Sequence, residues 1–284
     1  MAQDAVNKAR EERIDGTGGI TLFVRSWRPA TPPRAVVAIC HGFNAHSGLY
    51  QWVADRLVAS GYAVYALDLR GRGKSDGPRF FVGDIADYVN DLAALIRLAK
   101  SREPGLPVFL LGHSAGGVVA CIYALDNQAT LAGLISESFA YRVPAPAFAL
   151  AILNWLGGVA PRLGVLKLKN RDFSRDPAVV AAMDTDPLIA GENQPAGTIA
   201  ALIRAAGRLT REFSRITIPV LILHGTADKA TMPAGSQFFY DTAGSKDKTI
   251  KLYDGHFHDL LADTGKEGVM GDITNWIGKH LSRS

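Results

Sequence analysis

Cysteine is scarce in this chain: two thiols, Cys40 and Cys121, in 284 residues. Cys40 falls in a run that reads as a buried strand and Cys121 in a helical stretch. Two core thiols are therefore expected rather than a disulfide, which fits a reducing, cytoplasmic setting. Long apolar runs are missing as well. None approaches the ~18 residues of a membrane span, which excludes a transmembrane helix. The opening MAQDAVNKAREER is polar and charged, so no secretory signal is expected in it. No histidine pair has metal-ligand spacing such as H-E-x-x-H, so no metal is expected. Repeats and low-complexity tracts are absent. Charge of one sign is not abundant either: 31 Lys and Arg stand against 27 Asp and Glu, a net +4. The basic residues are not interleaved with aromatics in a recognisable module, so a nucleic-acid partner is not expected.

One segment invites a nucleotide reading and fails it. Gly71-Arg72-Gly73-Lys74-Ser75 would need glycine at position 68 to form a phosphate loop, and that position is Asp68. The third glycine of a dinucleotide fingerprint would fall on Asp76. A turn is expected there, and no cofactor.

What is present begins with Gly112-His113-Ser114-Ala115-Gly116. It directly follows the apolar run Pro107-Val108-Phe109-Leu110-Leu111 and precedes an apolar stretch, 117–125, long enough for a helix. G-x-S-x-G between a buried strand and a helix is the nucleophile-elbow pattern. The turn is so tight that side chains two positions either side of the serine would clash, hence glycine at both. The hydroxyl stands clear of the sheet, and the helix N-terminus beneath favours a developing oxyanion.

A serine nucleophile needs a base, and the base needs an orienting carboxylate. Residues 218–224 form a second apolar run, which ends in Gly225-Thr226-Ala227-Asp228. This puts Asp228 at the C-terminal end of a strand, where parallel sheets place chemistry. A third strand, 249–253, runs into Asp254-Gly255-His256-Phe257-His258. His256 and His258 compete for the base, and spacing does not choose between them. His280, beside Lys279 in a helical stretch, reads as a solvated surface residue. His41, His46, His113 and His224 read as makers of local hydrogen bonds. An oxyanion hole needs two backbone N–H groups. Ala115, after the serine, supplies one. The strand at 35–40 empties into His41-Gly42-Phe43-Asn44, where Gly42 permits close approach and Phe43 is the candidate for the other.

The stretches HGFNAHSGLY (41–50), LDLRGRGKSDGPR (67–79), GHSAGG (112–117), SRDPAVVAAMDTDPL (174–188), HGTAD (224–228) and YDGHFH (253–258) together resemble the serine-hydrolase branch of the α/β-hydrolases. The resemblance is greatest to the monoacylglycerol lipase and lysophospholipase-like group (serine aminopeptidase S33 type) and spans most of 35–260. It implies Ser114, Asp228 and His258 as the triad, with His258 marked by its place three after Gly255, and Phe43 and Ala115 as oxyanion donors. It also implies ester hydrolysis through an acyl-enzyme, on monoacylglycerol-like or other small lipophilic monoesters. One departure stands out. Ser136-Glu137-Ser138 ends a strand where relatives usually carry small or apolar residues, and some hydrolases place their acid there. Acyl transfer to peroxide or an alcohol by the same residues stays open, as does a weakly catalytic binding module of this fold.

Strands near 35–40, 62–67, 107–112, 131–136, 218–224 and 248–253 follow an edge hairpin at about 11–28. With helical patterns between them, they predict a mostly parallel, doubly wound sheet flanked by helices. The alternation breaks at 141–215, which reads as a helical cap inserted into a core made of 1–140 and 216–284. That cap carries ten basic and six acidic residues, the whole of the chain's net charge. Its apolar run Phe148, Leu150, Ile152, Leu153, Trp155 and Leu156 suggests a passage for an acyl chain. The basic stretch 162–175 outside it resembles a lid that makes transient contact with lipid surfaces.

Overall fold

The computed structural model describes residues 8–282, so the first seven residues of the charged opening lie outside it. In chain order, the first half holds β1 (Arg10–Asp15), β2 (Thr21–Trp27), β3 (Ala35–Cys40), α1 (Gln51–Ala59), β4 (Tyr62–Leu67), α2 (Ile85–Arg102), β5 (Val108–His113), α3 (Ala115–Asn127) and β6 (Gly133–Glu137). An insertion follows, with α4 (Ala147–Val159), β7 (Gly164–Leu166), α5 (Pro177–Thr185), β8 (Gln194–Pro195) and α6 (Ala196–Glu212). The chain then returns through β9 (Val220–Gly225), α7 (Pro233–Thr242), β10 (Lys248–Tyr253) and α8 (Lys266–Leu281).

Eight strands form one sheet in the order β1-β2-β4-β3-β5-β6-β9-β10. β1 and β2 pair antiparallel as a hairpin, β2 joins β4 antiparallel, and every later pairing is parallel. The sequence explains which strands sit where. β3, β4, β5 and β9 are fully buried and apolar apart from His113 and His224 near the ends of β5 and β9, as strands covered on both faces must be. β10, KTIKLY, has no buried position, alternates half-buried and exposed over its first four residues, and forms the edge.

Alternate side chains sort the sheet into two cores. Val36, Ala38, Val108 and Leu110 face α2 and α3, with Phe239 of α7 and Leu209 of α6 in the same cluster. Val37, Ile39, Phe109 and Leu111 face α1 and α8, where Trp276 meets Phe109 edge-on, 5.8 Å between centroids. Each Val, Leu, Ile or Phe among them contributes on the order of 1.5–3 kcal/mol when fully buried. Local signals start and stop the helices. Asp84 caps α2 by accepting from Ala86 N, and Lys100 and Arg102 lie in its last turn. Asp176 caps α5 just before Pro177.

Residues 141–215 lie in the chain between β6 and β9, and Ile199 and Leu153 of this segment pack against Phe43 and Ala115, which follow β3 and β5. Its own two-stranded sheet pairs β7 with β8. α6 is buried along much of its length, and Ala201, Ala205 and Leu209 join the α2–α3 core, so this part of 141–215 packs as core. α4 rests on α6 closely enough that a side chain at Gly157 would place its Cβ 2.3 Å from Ala200 Cβ. No helix among the described residues is long and apolar enough to cross a membrane.

Candidate active site

Ser114 sits where β5 turns into α3, at φ 55° and ψ −121°. This conformation is sparsely populated for any residue with a Cβ and costs about 1–3 kcal/mol. The surroundings over-determine it. Ser114 N–H donates to the Glu137 carbonyl at 2.9 Å, and Gly117 N–H and Ala140 N–H donate to the Ser114 carbonyl. The flanking glycines are required by space. A Cβ at Gly112 would come within 2.7 Å of Ala120 Cβ, and one at Gly116 within 2.3 Å of the Cys40 carbonyl oxygen.

The three residues named from the sequence meet in one chain of hydrogen bonds. His258 Nδ1 lies 2.8 Å from Asp228 Oδ2, and His258 Nε2 lies 2.8 Å from Ser114 Oγ. A carboxylate can only accept, so the proton belongs on Nδ1, which leaves Nε2 to accept from the Ser114 hydroxyl. Asp228 is almost enclosed. Burial pushes its carboxyl up, but His258 and His224 more than offset this and hold it well below the usual carboxylate range. Its Oδ1 accepts from Ala230 N–H and Thr231 N–H, and its Oδ2 from the Thr231 hydroxyl at 2.7 Å, with His224 Nε2 at 3.0 Å. The imidazole of His258 is held between rings: Phe173 meets it edge-on at 4.9 Å and His113 lies 5.0 Å away.

The other candidates separate. His256 turns away from Ser114, toward Asp263 at 3.7 Å and the Tyr253 ring. Burial and then Arg175 push its imidazole down. His41 donates from Nδ1 to the Gly42 carbonyl and accepts from Leu69 N–H, and burial lowers it to about 4. His46 meets Asp186 at 2.8 Å, and His224 meets the Ser236 hydroxyl at 2.7 Å. His41 and His224 make the local bonds expected, and His46 Nδ1 accepts from Gly48 N–H, but its Asp186 partner lies far away in the chain. Two histidines differ from expectation. His280 is not solvated: it is held by the Trp276 carbonyl and by Asp247, packed against the indole one helical turn back. His113 is fully buried, and neither ring nitrogen has a hydrogen-bond partner among the described residues.

Glu137 does not reach His258. Its side chain is buried at the end of β6, where burial first, and then Asp259, pushes its carboxyl up. Ligating atoms of His113, Glu137 and Asp259 lie within 4.8 Å of one another, a grouping that could hold a metal ion by spacing. It carries no motif, because its members come from three separate elements.

On the other side of Ser114, Gly42 makes the expected close approach, since a Cβ there would fall 2.8 Å from Ser114 Cβ. Neither Phe43 N–H nor Ala115 N–H donates to a protein acceptor among the described residues, so both are free for a ligand oxygen. Around them Ile199, Leu153, Val165, Leu168, Leu202 and Ile203, all from the insertion, form a small apolar cluster. The outer face of α4 is different: Phe148, Ile152, Trp155 and Val159 recur at helical spacing and are exposed, Phe148 at 70%. Leu150, Leu153 and Leu156 lie on the inner side, half-buried. In the basic stretch 162–175, Arg175 is taken up by Asp263, while Arg162, Lys167, Lys169 and Arg171 are exposed.

A family model described as serine aminopeptidase, S33 matches residues 31–265. The monoacylglycerol lipase of Mycolicibacterium smegmatis is 35% identical over 274 residues, 95% of this chain and 98% of the relative. Human monoglyceride lipase is 32% identical over 269 residues, 93% of this chain and 89% of its own. The crystal structure of Paleococcus ferrophilus monoacylglycerol lipase superposes with a TM-score of 0.83 at 30% identity, covering 91% of this chain and 99% of that one. Sheet order, elbow and these similarities agree: the chain belongs to the serine aminopeptidase S33 family, as a hydrolase of the α/β-hydrolase fold similar to the monoacylglycerol lipases.

Proposed function

We propose that the protein hydrolyses small lipophilic monoesters, monoacylglycerols among them, by a two-step serine mechanism. The ester-hydrolase class follows from the family and from relatives that are lipases. The mechanism rests on one observation above the rest, the continuous chain from Asp228 through His258 to Ser114 with two free amides beside it. Ser114 Oγ attacks the ester carbonyl while His258 Nε2 takes its proton, and Asp228 keeps the imidazole in the required tautomer and stabilises its charged form. The carbonyl oxygen, now an oxyanion, accepts from Phe43 and Ala115 N–H. His258 returns the proton to the leaving alcohol. Water then repeats the sequence on the acyl-enzyme and releases the acid.

In this reading residues 141–215 act as a cap. The apolar cluster of Ile199, Leu153, Val165 and Leu202 beside the amides supports an acyl passage. The exposed apolar face of α4, with Arg162, Lys167, Lys169 and Arg171 nearby, supports transient contact with an anionic lipid surface.

The experiment is a fluorophosphonate probe and a panel of glyceryl and p-nitrophenyl esters of graded acyl length, run on wild type and Ser114→Ala. The variant should lose labelling and about 10⁴-fold or more in kcat, because such residues act as a unit. In wild type, kcat/KM should rise severalfold per added methylene, since each buried CH₂ contributes about 0.8 kcal/mol. Labelling of another serine with activity intact would reject the nucleophile. A flat profile from acetate to decanoate would reject the passage.

A further inference from the structure

An oxyanion hole works only if its two N–H groups converge on one point. Ala115 N–H is fixed by the first turn of α3. Phe43 N–H lies in the loop after β3, and the next residue, Asn44, takes a left-handed φ of 49° without being glycine. Such a loop needs external restraint, and the insertion supplies it. Asn44 N–H donates to Glu192 Oε1 at 3.0 Å, and Asn44 Nδ2 donates to Asn170 Oδ1 at 2.9 Å. The same Glu192 oxygen takes Arg72 Nη1 and Gln194 Nε2 as donors. The Arg72 guanidinium lies over the Phe43 ring, 4.3 Å from its centroid, and also donates to Gln194 Oε1 and Tyr88 Oη. Glu192, Arg72 and Gln194 are all buried.

A buried ion pair is weak evidence for stability, because desolvation of both charges offsets their attraction. Here the pair holds the chain just after the Phe43 amide: Glu192 takes Asn44 N–H, and Arg72 lies over the Phe43 ring. We infer that Glu192 is a positioning residue for the oxyanion hole: its carboxylate, balanced by Arg72, fixes the Asn44 amide and so aims Phe43 N–H. This rests on the reading of Phe43 and Ala115 as oxyanion donors. It makes seating of the insertion part of the assembly of the hole, since Glu192, Gln194 and Asn170 all belong to that segment.

The test uses a trifluoromethyl ketone with a ¹³C-labelled carbonyl. Ser114 Oγ bonds to the carbonyl carbon, the C=O π pair moves onto oxygen, and the hydroxyl proton passes to His258. The hemiketal oxygen then occupies the hole, and its protonation is read by NMR across pH on the full-length enzyme. Deleting an oxyanion donor outright typically costs ~10²–10³ in kcat. Misaiming one should cost less: Glu192→Ala is expected to lower kcat about 10- to 100-fold, with KM within about threefold. It should raise the pH at which the hemiketal gains its proton by about one to two units, at about tenfold per unit. Glu192→Gln, which keeps an oxygen to accept from Asn44 N–H, should retain most of the activity. If Glu192→Ala does not fold, Asn170→Ala cuts the second tether without leaving a buried charge, and the same shifts in smaller measure are expected. A wild-type adduct held ionised, with the variant's titration and kcat unmoved, would overturn the role of Glu192 alone. A wild-type adduct that titrates like the free hemiketal would remove the oxyanion reading itself.

Discussion

His256 and His258 share one loop, two residues apart, yet only His258 has Asp228 on one nitrogen and Ser114 on the other. Replacing His258 by Ala should lower kcat/KM by about 10⁴-fold, as expected for a group acting with the nucleophile as a unit. His256→Ala should change it less than about tenfold, through its contact with Asp263. Among the acids, Asp228→Asn should cost far more than Glu137→Gln, because the amide would impose the wrong imidazole tautomer. Steady-state kinetics on the four variants decides this. Equal losses at the two histidines, or a dominant loss at Glu137, would reassign the base or the acid.

At the scale of elements, α4 presents two faces: Leu153 packs inward, while Phe148, Ile152, Trp155 and Val159 are exposed. Wild-type enzyme should sediment with anionic vesicles at low salt and be released at high salt, as screened attraction to Lys167, Lys169 and Arg171 requires. Trp155→Ser with Phe148→Ser should weaken binding while leaving hydrolysis of a short soluble ester near wild type. Absent or salt-independent binding would return the charge to an ordinary solvated surface. The elements of the core were legible because each leaves a local signature. β3 and the first four residues of β9 are unbroken apolar runs, and the glycines around Ser114 have a steric reason visible in the chain. Ends differ by one or two residues, as with β6, which begins at Gly133 after a turn rather than at 131. The insertion was legible only as apolar and basic. β7 and β8, three and two residues long, carry no alternation to read. Glu192 on Asn44, Asp186 on His46 and the meeting of His113 with Glu137 and Asp259 join residues far apart in sequence, which no single stretch reveals.

For the molecule as a whole, buried titratable groups set how stability responds to pH. Burial pushes Asp259 up to about 6, against about 3.9 in an unfolded chain. Between those values the folded state binds the proton and the unfolded state does not, so this contribution is present below pH 4 and lost as pH rises through 6. His41 and His113, depressed by burial, act in the opposite sense, because acidification forces a charge onto buried rings. The contribution of Asp259 is therefore isolated by difference. The stability of wild type relative to Asp259→Asn, from denaturant midpoints, should fall between about pH 4 and pH 6 and level off above. A difference that stays constant across that range would show that Asp259 ionises normally. The sheet order has a consequence for synthesis. β6 pairs on one side with β5, already made, and on the other with β9, which begins only at Val220. At 5–20 residues per second, one row of β6 backbone groups waits roughly 4–16 s for its partner. Helix formation takes about a microsecond, so the inserted helices can form during that wait. An open apolar strand edge is a template for a neighbouring chain. The interval in which residues 138–219 are made is thus when the β6 edge is open to pairing with a neighbouring chain.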